Sequence, residues 1–172
     1  MFTIKRYETI VKYKTSFYSF VFPIRLGMFA AGFVDSEAHY QVERILLRIG
    51  HVFQIQDDYL DCFGDSNVLG KIGTDIRDGK CSWLIIKALQ LADHNDREQI
   101  EQNYAQNDAQ SEQTIKLIYN KLNLTRHYEQ TVNELTQEIF QNIKMFQNIQ
   151  KNYQLNSKIF YHPLAQIYKR QK

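Results

Sequence analysis

An all-α fold is predicted, and three observations predict it. The 172-residue chain has only two prolines, so long stretches lack the residue least tolerated inside a helix. Four of its seven glycines, Gly64, Gly70, Gly73 and Gly79, fall in one short stretch. Apolar residues recur at spacings of three and four through most of the remainder, the repeat of a helix with one buried face. The length fits one domain with a real core, with no internal repeat and no linker. Hydrophobic residues make up 44% and charged residues 23%, a globular balance. A net charge of +2 with no long basic run argues against nucleic acid as the partner. Cys62 and Cys81 are the only cysteines; they read as reduced thiols, which suits the cytoplasm better than an oxidising compartment.

Residues 5 to 22 read as the first helix, with Ile4, Tyr7, Val11 and Tyr18 at helical spacing and Phe17, Phe20 and Phe22 on the other faces. The run Tyr13-Lys14-Thr15-Ser16 interrupts that apolar surface. By itself it reads as a snorkelling lysine with a hydroxyl bonded back to the preceding turn. Pro23 is expected to kink or break the helix. Residues 17 to 34 are apolar enough to suggest a membrane span, but Arg25, Pro23 and Gly27 lie near the middle. A central arginine costs about 2.5–3.5 kcal/mol on insertion scales, so a buried helix is expected and no membrane span. Met1 to Lys14 is too charged for a secretory signal.

Asp35 or Ser36 caps the next helix, which runs from about Glu37 to Gly64 with Val42, Ile45, Leu46, Ile49, Val52, Phe53, Ile55 and Leu60 as its apolar residues. Ser82 opens another, carrying Trp83, Leu84, Ile85, Ala88, Leu89 and Leu91. Asp93 to Asp96 breaks the pattern, and Asn95 with Glu98 resembles a capping box. Residues 96–105, 110–121 and 127–152 read as three more polar helices. Each of the latter two carries an apolar stripe: Ile115, Ile118 and Leu122, then Val132, Leu135, Ile139, Ile143 and Phe146. Ser157 to Tyr168 is a short last helix containing Pro163, followed by a basic tail. His51 reads as a core or boundary residue without a chemical role.

The chemistry concentrates at the end of the long helix. Asp57 and Asp61 stand four apart and point the same way, with Asp58 beside them. Like charges so placed cost an isolated helix roughly 0.2–0.5 kcal/mol each, and a cation turns that cost into a gain. Carboxylate oxygens suit Mg²⁺ or Ca²⁺, and Mg²⁺ usually takes one or two carboxylates plus phosphate oxygens. Lys71 and Lys80 follow, with Asp75 between them. Gln54 lies three residues before Asp57 and shares its face. A calcium loop starting at Asp57 would need Gly and Glu where Cys62 and Val68 stand. A Walker-type loop fails because five residues separate Gly64 from Gly70 and Ile72 follows Lys71. The residues point to a metal-bridged polyphosphate site.

These pieces resemble a known family. Val11-Lys-Tyr-Lys-Thr-Ser-Phe-Tyr-Ser-Phe20, Phe53-Gln-Ile-Gln-Asp-Asp-Tyr-Leu-Asp61, Phe63-Gly-Asp65, Gly70-Lys-Ile-Gly-Thr-Asp75, Lys80-Cys-Ser-Trp83 and Tyr168-Lys-Arg170 are similar, in order and spacing, to the C-terminal half of farnesyl diphosphate synthases. These are trans-type polyprenyl diphosphate synthases. The resemblance is densest over 6–90 and weakest over 92–157. It implies an isoprenoid-synthase-type helical bundle, of which 1–172 is a single partial domain. The family's first aspartate-rich helix, with its arginine pair, is then expected to precede residue 1. Apolar faces at 17–34 and 42–60 are expected to be exposed for want of partners.

Carried over, the resemblance implies that Asp57 and Asp61 hold Mg²⁺ on the allylic diphosphate, with Asp58 supporting and Asp75 reaching a metal-bound water. Lys71 and Lys80 would contact the diphosphate. Lys14, Thr15 and Gln54 would surround the carbon that becomes cationic. Tyr18 would lie near the isopentenyl tail, and Arg170 would reach isopentenyl diphosphate. The substrates implied are isopentenyl diphosphate and an allylic diphosphate (dimethylallyl or geranyl), the product farnesyl diphosphate, the assembly a homodimer and the compartment the cytoplasm. The alternatives are a truncated, non-catalytic chain, a subunit that pairs with a full-length synthase, or a helical scaffold with an incidental acidic patch.

Overall fold

The computed structural model describes residues 2–65, 70, 72–153 and 155–169, with the side chains of 148–153 and 169 outside the description. Among these residues every regular element is helical. They are α1 (Ile4–Val11), a π-helical segment (Lys12–Val21), α2 (Phe22–Ala30), α3 (Ser36–Phe63), α4 (Trp83–Leu91), α5 (His94–Asn103), α6 (Ala109–Lys121), α7 (Leu124–Tyr153), a 3₁₀ turn (Ser157–Phe160) and α8 (Tyr161–Lys169). None is long and apolar enough to cross a membrane.

The first helix does not break at Pro23. It changes pitch instead. From Lys12 to Val21 the backbone winds as a π-helix, the Phe22 N–H donating to the Phe17 carbonyl five residues back. Pro23 then sits in the first turn of α2, where its missing N–H costs least. Bonding five residues back turns the chain through a smaller angle per residue than bonding four back. Tyr18 therefore leaves the face of Tyr7 and Val11: those two are buried, while Tyr18 is 74% exposed. A π segment is rare and frequently marks a functional stretch, and this one carries Lys14, Thr15 and Tyr18.

Two compact units divide the chain, each assembled from separated stretches: Met1–Tyr7 with Ile55–Thr131, and Glu8–Gln54 with Val132–Lys172. In the second unit, Val42, Ile45, Leu46, Ile49 and Val52 of α3 are buried, as are Val132, Ile139, Ile143 and Phe146 of α7. Gly50 allows the π segment to approach α3: a Cβ there would stand 2.4 Å from the Ser16 Cα. Phe20 meets Phe53 edge-to-face at 5.4 Å, and Phe146 meets Phe160 the same way. The expected exposure of the 42–60 face is thus corrected, because α3 closes on the π segment. The 17–34 stretch does expose Tyr18, Phe22, Leu26, Phe29 and Val34.

In the first unit the core is Ile55, the apolar face of α4, Ile100, Tyr104, Ile115, Ile118, Tyr119 and Leu124. Asp35 caps α3 through the Ala38 N–H at 2.7 Å, as the sequence suggests. The capping box at Asn95 does not form. Asp93 caps α5 instead, accepting from the Asp96 N–H at 2.8 Å. The Asp96 carboxylate is buried and bound by the Lys121 ammonium at 2.7 Å.

Candidate functional site

The acidic end of α3 lies in the first unit, and its three aspartates do different things. Asp58 is 4% exposed, and its Oδ2 accepts the Trp83 N–H at 2.7 Å. That places a carboxylate on the first turn of α4, where unpaired N–H groups and the helix dipole favour an anion. Tyr7 lies against the same carboxylate. Burial first, then the Asp58 charge, pushes its phenol well above its ordinary range. Asp58 therefore makes a structural bond at the start of α4. Asp57 and Asp61 are partly exposed.

Tyr59, between the acidic positions, fixes the rotation of this end of α3. Its ring stacks on Tyr128 at 3.8 Å between centroids, and its hydroxyl reaches the Thr125 hydroxyl at 3.2 Å. One face of the helix is held by α7, so the Asp57 and Asp61 positions point elsewhere.

Residues 73–80 fold back on Asp61. The Asp75 N–H donates to Asp61 Oδ2 at 2.9 Å. Gly73 makes this approach possible, since a Cβ there would stand 1.7 Å from the Asp61 carbonyl oxygen. A closed turn follows, with the Asp78 N–H on the Thr74 carbonyl and the Lys80 N–H on the Asp75 carbonyl. The turn brings the Lys80 ammonium to 2.6 Å from Asp75 Oδ1. The two partners record this pair differently. The hydrogen bond that Lys80 donates to Asp75 is the main cause that raises Lys80. Asp75 is nevertheless also raised, by burial first and then by Asp61 and Asp57, against the pull of Lys80. The 2.6 Å contact fixes the pair, and the rise at Asp75 records its burial first and the charges of Asp61 and Asp57 after that.

In the second unit the Thr15 hydroxyl donates to Gln54 Oε1 at 2.5 Å. Thr15 is buried, so the hydroxyl links the π segment to α3 and does not bond back to its own preceding turn. Lys14 and Tyr18 are exposed on the π segment. Lys71 and Arg170, the remaining expected contacts to diphosphate, lie outside the described residues.

A model of polyprenyl synthetases matches residues 1–122. The chain belongs to the polyprenyl synthetase family. Farnesyl pyrophosphate synthase of Bos taurus is 49% identical over 129 residues, covering 75% of this chain and 36% of that protein. That of Gallus gallus is 39% identical over 171 residues, 99% of this chain and 45% of that protein. A solved T. brucei farnesyl diphosphate synthase complexed with risedronate superposes with a TM-score of 0.86 at 30% identity, over 99% of this chain and 47% of that one. The fold is therefore the all-helical isoprenoid-synthase fold. The chain spans less than half the length of these relatives.

For a polyprenyl synthetase a divalent metal is expected. Among the described residues no three carboxylate, imidazole or thiol groups converge as a ready-made cluster. The donors still fit Mg²⁺, which takes few protein oxygens and completes its shell with phosphate and water. Asp75 is raised by burial first and then by Asp61 and Asp57, and a cation would relieve the part owed to those charges. Burial pushes the Cys62 thiol up to about 12. Tyr104 escaped sequence reading altogether. It bonds to the turn from just past the end of a polar helix, where residue type alone does not mark it.

Proposed function

We propose that the chain supplies one half of a prenyltransferase site, in a protein that condenses isopentenyl diphosphate with dimethylallyl or geranyl diphosphate to give farnesyl diphosphate. The observation that carries this reading is the convergence of Asp61, Asp75 and Lys80 in the first unit. On this reading both units belong to one partial synthase domain.

Asp57 and Asp61 would hold Mg²⁺, with Asp75 reaching it through water. When bound, the metal would neutralise charge on the diphosphate as it leaves. Lys80 stands ready for the same anion. Paired with Asp75, it can exchange that carboxylate for a phosphate oxygen while Asp75 turns to the metal's water. Lys71 would add a second ammonium. The allylic C–O bond breaks with its electron pair going to the diphosphate. By the family resemblance, the Thr15 hydroxyl, the Gln54 carbonyl oxygen and atoms near Lys14 would surround the carbon left cationic. Fixed dipoles aimed at developing charge act most strongly in a site closed to water. The isopentenyl double bond attacks that carbon, and the departed diphosphate takes the proton released as the new double bond forms. Tyr18 would border the isopentenyl tail, and Arg170 its diphosphate. The chain is proposed to act in the cytoplasm as a homodimer.

Incubation of the whole protein that carries this chain with geranyl diphosphate, radiolabelled isopentenyl diphosphate and Mg²⁺ tests the reading, with labelled farnesyl diphosphate expected. Product formed only when the chain is co-purified with a full-length synthase moves the assignment to a partner subunit. No product in either case overturns it.

A further inference from the structure

We propose that the corner Tyr104–Ala105, just past the end of α5, is a positioning clamp. Its hydroxyl and amide hold the backbone of the 75–80 turn and so set where the Asp75 carboxylate and Lys80 ammonium stand. The inference deepens the proposed function and rests on it.

Four observations carry it. The Tyr104 ring is 6% exposed, and its hydroxyl donates to the Lys80 carbonyl at 2.6 Å, with the Asp75 carbonyl at 3.4 Å. The Ala105 N–H donates to the Ile76 carbonyl at 3.0 Å. Ala105 adopts φ 66°, a left-handed conformation that an L-residue with a Cβ reaches only at a cost. Gly79, at φ 62°, leaves just enough room, because a Cβ there would meet the Ala105 Cβ at 2.7 Å. Strain held at one corner while its neighbour gives way is characteristic of a functional constraint. The contacts fall on the carbonyls of the two residues whose side chains form the ion pair. Burial also raises the phenol above its ordinary value, which suits a hydroxyl that stays a hydrogen-bond donor. Tyr104 acts through the turn and is a positioning residue, not a catalytic one.

The test compares Tyr104→Phe with the unaltered chain by calorimetric titration of inorganic diphosphate at several Mg²⁺ concentrations, alongside amide hydrogen exchange. Loss of one buried hydrogen bond is expected to raise half-saturating Mg²⁺ by about three- to tenfold and to speed exchange at Gly79 and Lys80. Ala105→Gly, which relieves the strained φ without touching the hydroxyl, is expected to keep the unaltered midpoint and to melt higher. Unchanged binding in Tyr104→Phe overturns the clamp, even where exchange has accelerated. If the unaltered chain binds no diphosphate, the proposed function fails for this chain. Exchange then decides the clamp alone: acceleration at Gly79 and Lys80 supports it, and unchanged rates overturn it. Should Tyr104→Phe not fold, the unaltered chain carries the test. Ligand that orders Asp75 and Lys80 must slow exchange at the Ala105 amide, because coupling is reciprocal, and an unchanged Ala105 rate overturns the proposal.

Discussion

Replacing Asp58 by Ala separates two roles that the sequence motif merges. The carboxylate caps α4 through the Trp83 N–H at 2.7 Å and is 4% exposed. Losing a cap costs about 0.5–2 kcal/mol. Because the Trp83 N–H is buried, leaving it without an acceptor moves the cost toward ~1–3 kcal/mol. The loss is about 1–3 kcal/mol, which for a chain of this size lowers Tm by on the order of 3–9 °C. Trp83 is the only tryptophan, and its own N–H makes the bond. Its fluorescence during urea denaturation therefore reports the perturbed place directly. Asp58→Asn keeps an acceptor oxygen and is expected to recover most of the loss. Asp57→Ala is expected to leave stability nearly unchanged and to remove Mg²⁺-dependent diphosphate binding. The reasoning is refuted if Asp58→Ala unfolds within about 0.5 kcal/mol of the unaltered chain, the range of ordinary surface changes.

Gly73→Ala pushes a Cβ into the Asp61 carbonyl. Stability is expected to fall by about 1–3 kcal/mol, and diphosphate titration should show weaker binding than in Gly50→Ala, whose clash lies against Ser16. Asp75 is held above its ordinary carboxylate value of 3.8 by burial and by Asp61 and Asp57. The native chain therefore keeps a proton that the unfolded chain releases, and this contribution is lost as pH rises from 3.8 through the raised value. Urea denaturation between pH 3 and 7 should show a flatter profile for Asp75→Asn. His51 is lowered from 6.5 by burial and then by Arg48, against Glu8 and Glu138. The unfolded chain takes up its proton first, so stability falls as pH drops below 6.5. His51→Gln should lose that part of the acid-side decline in the same denaturation series.

The helices were legible because their causes are local. Periodic apolar residues, the Asp35 cap and the scarcity of proline locate α3 to within a residue or so at each end. The π segment was not legible. Its residues favour helix of either pitch, and packing of Ser16 on Gly50 is a tertiary fact. The structural bond of Asp58 was not legible for a related reason. Spacing shows that it flanks the other two acids, but nothing in the motif shows that a helix starting twenty-five residues later brings its N-terminus there. Asp93 displaced Asn95 as a cap because several capping residues stand together, and tertiary pairing of Asp96 with Lys121 selects the register. Asp61, Asp75 and Lys80 were found from residue type and spacing. Tyr104 was not, since a tyrosine at the end of a polar helix carries no signal of what its hydroxyl meets.

Calorimetric titration of inorganic diphosphate into the chain, with and without Mg²⁺, is the most direct examination of the acidic helix and its basic turn. Saturable one-to-one binding that requires Mg²⁺, disappears in Asp61→Ala and survives in Asp58→Asn is predicted. Binding that is absent, or that persists undiminished without Mg²⁺ or without Asp61, contradicts the account.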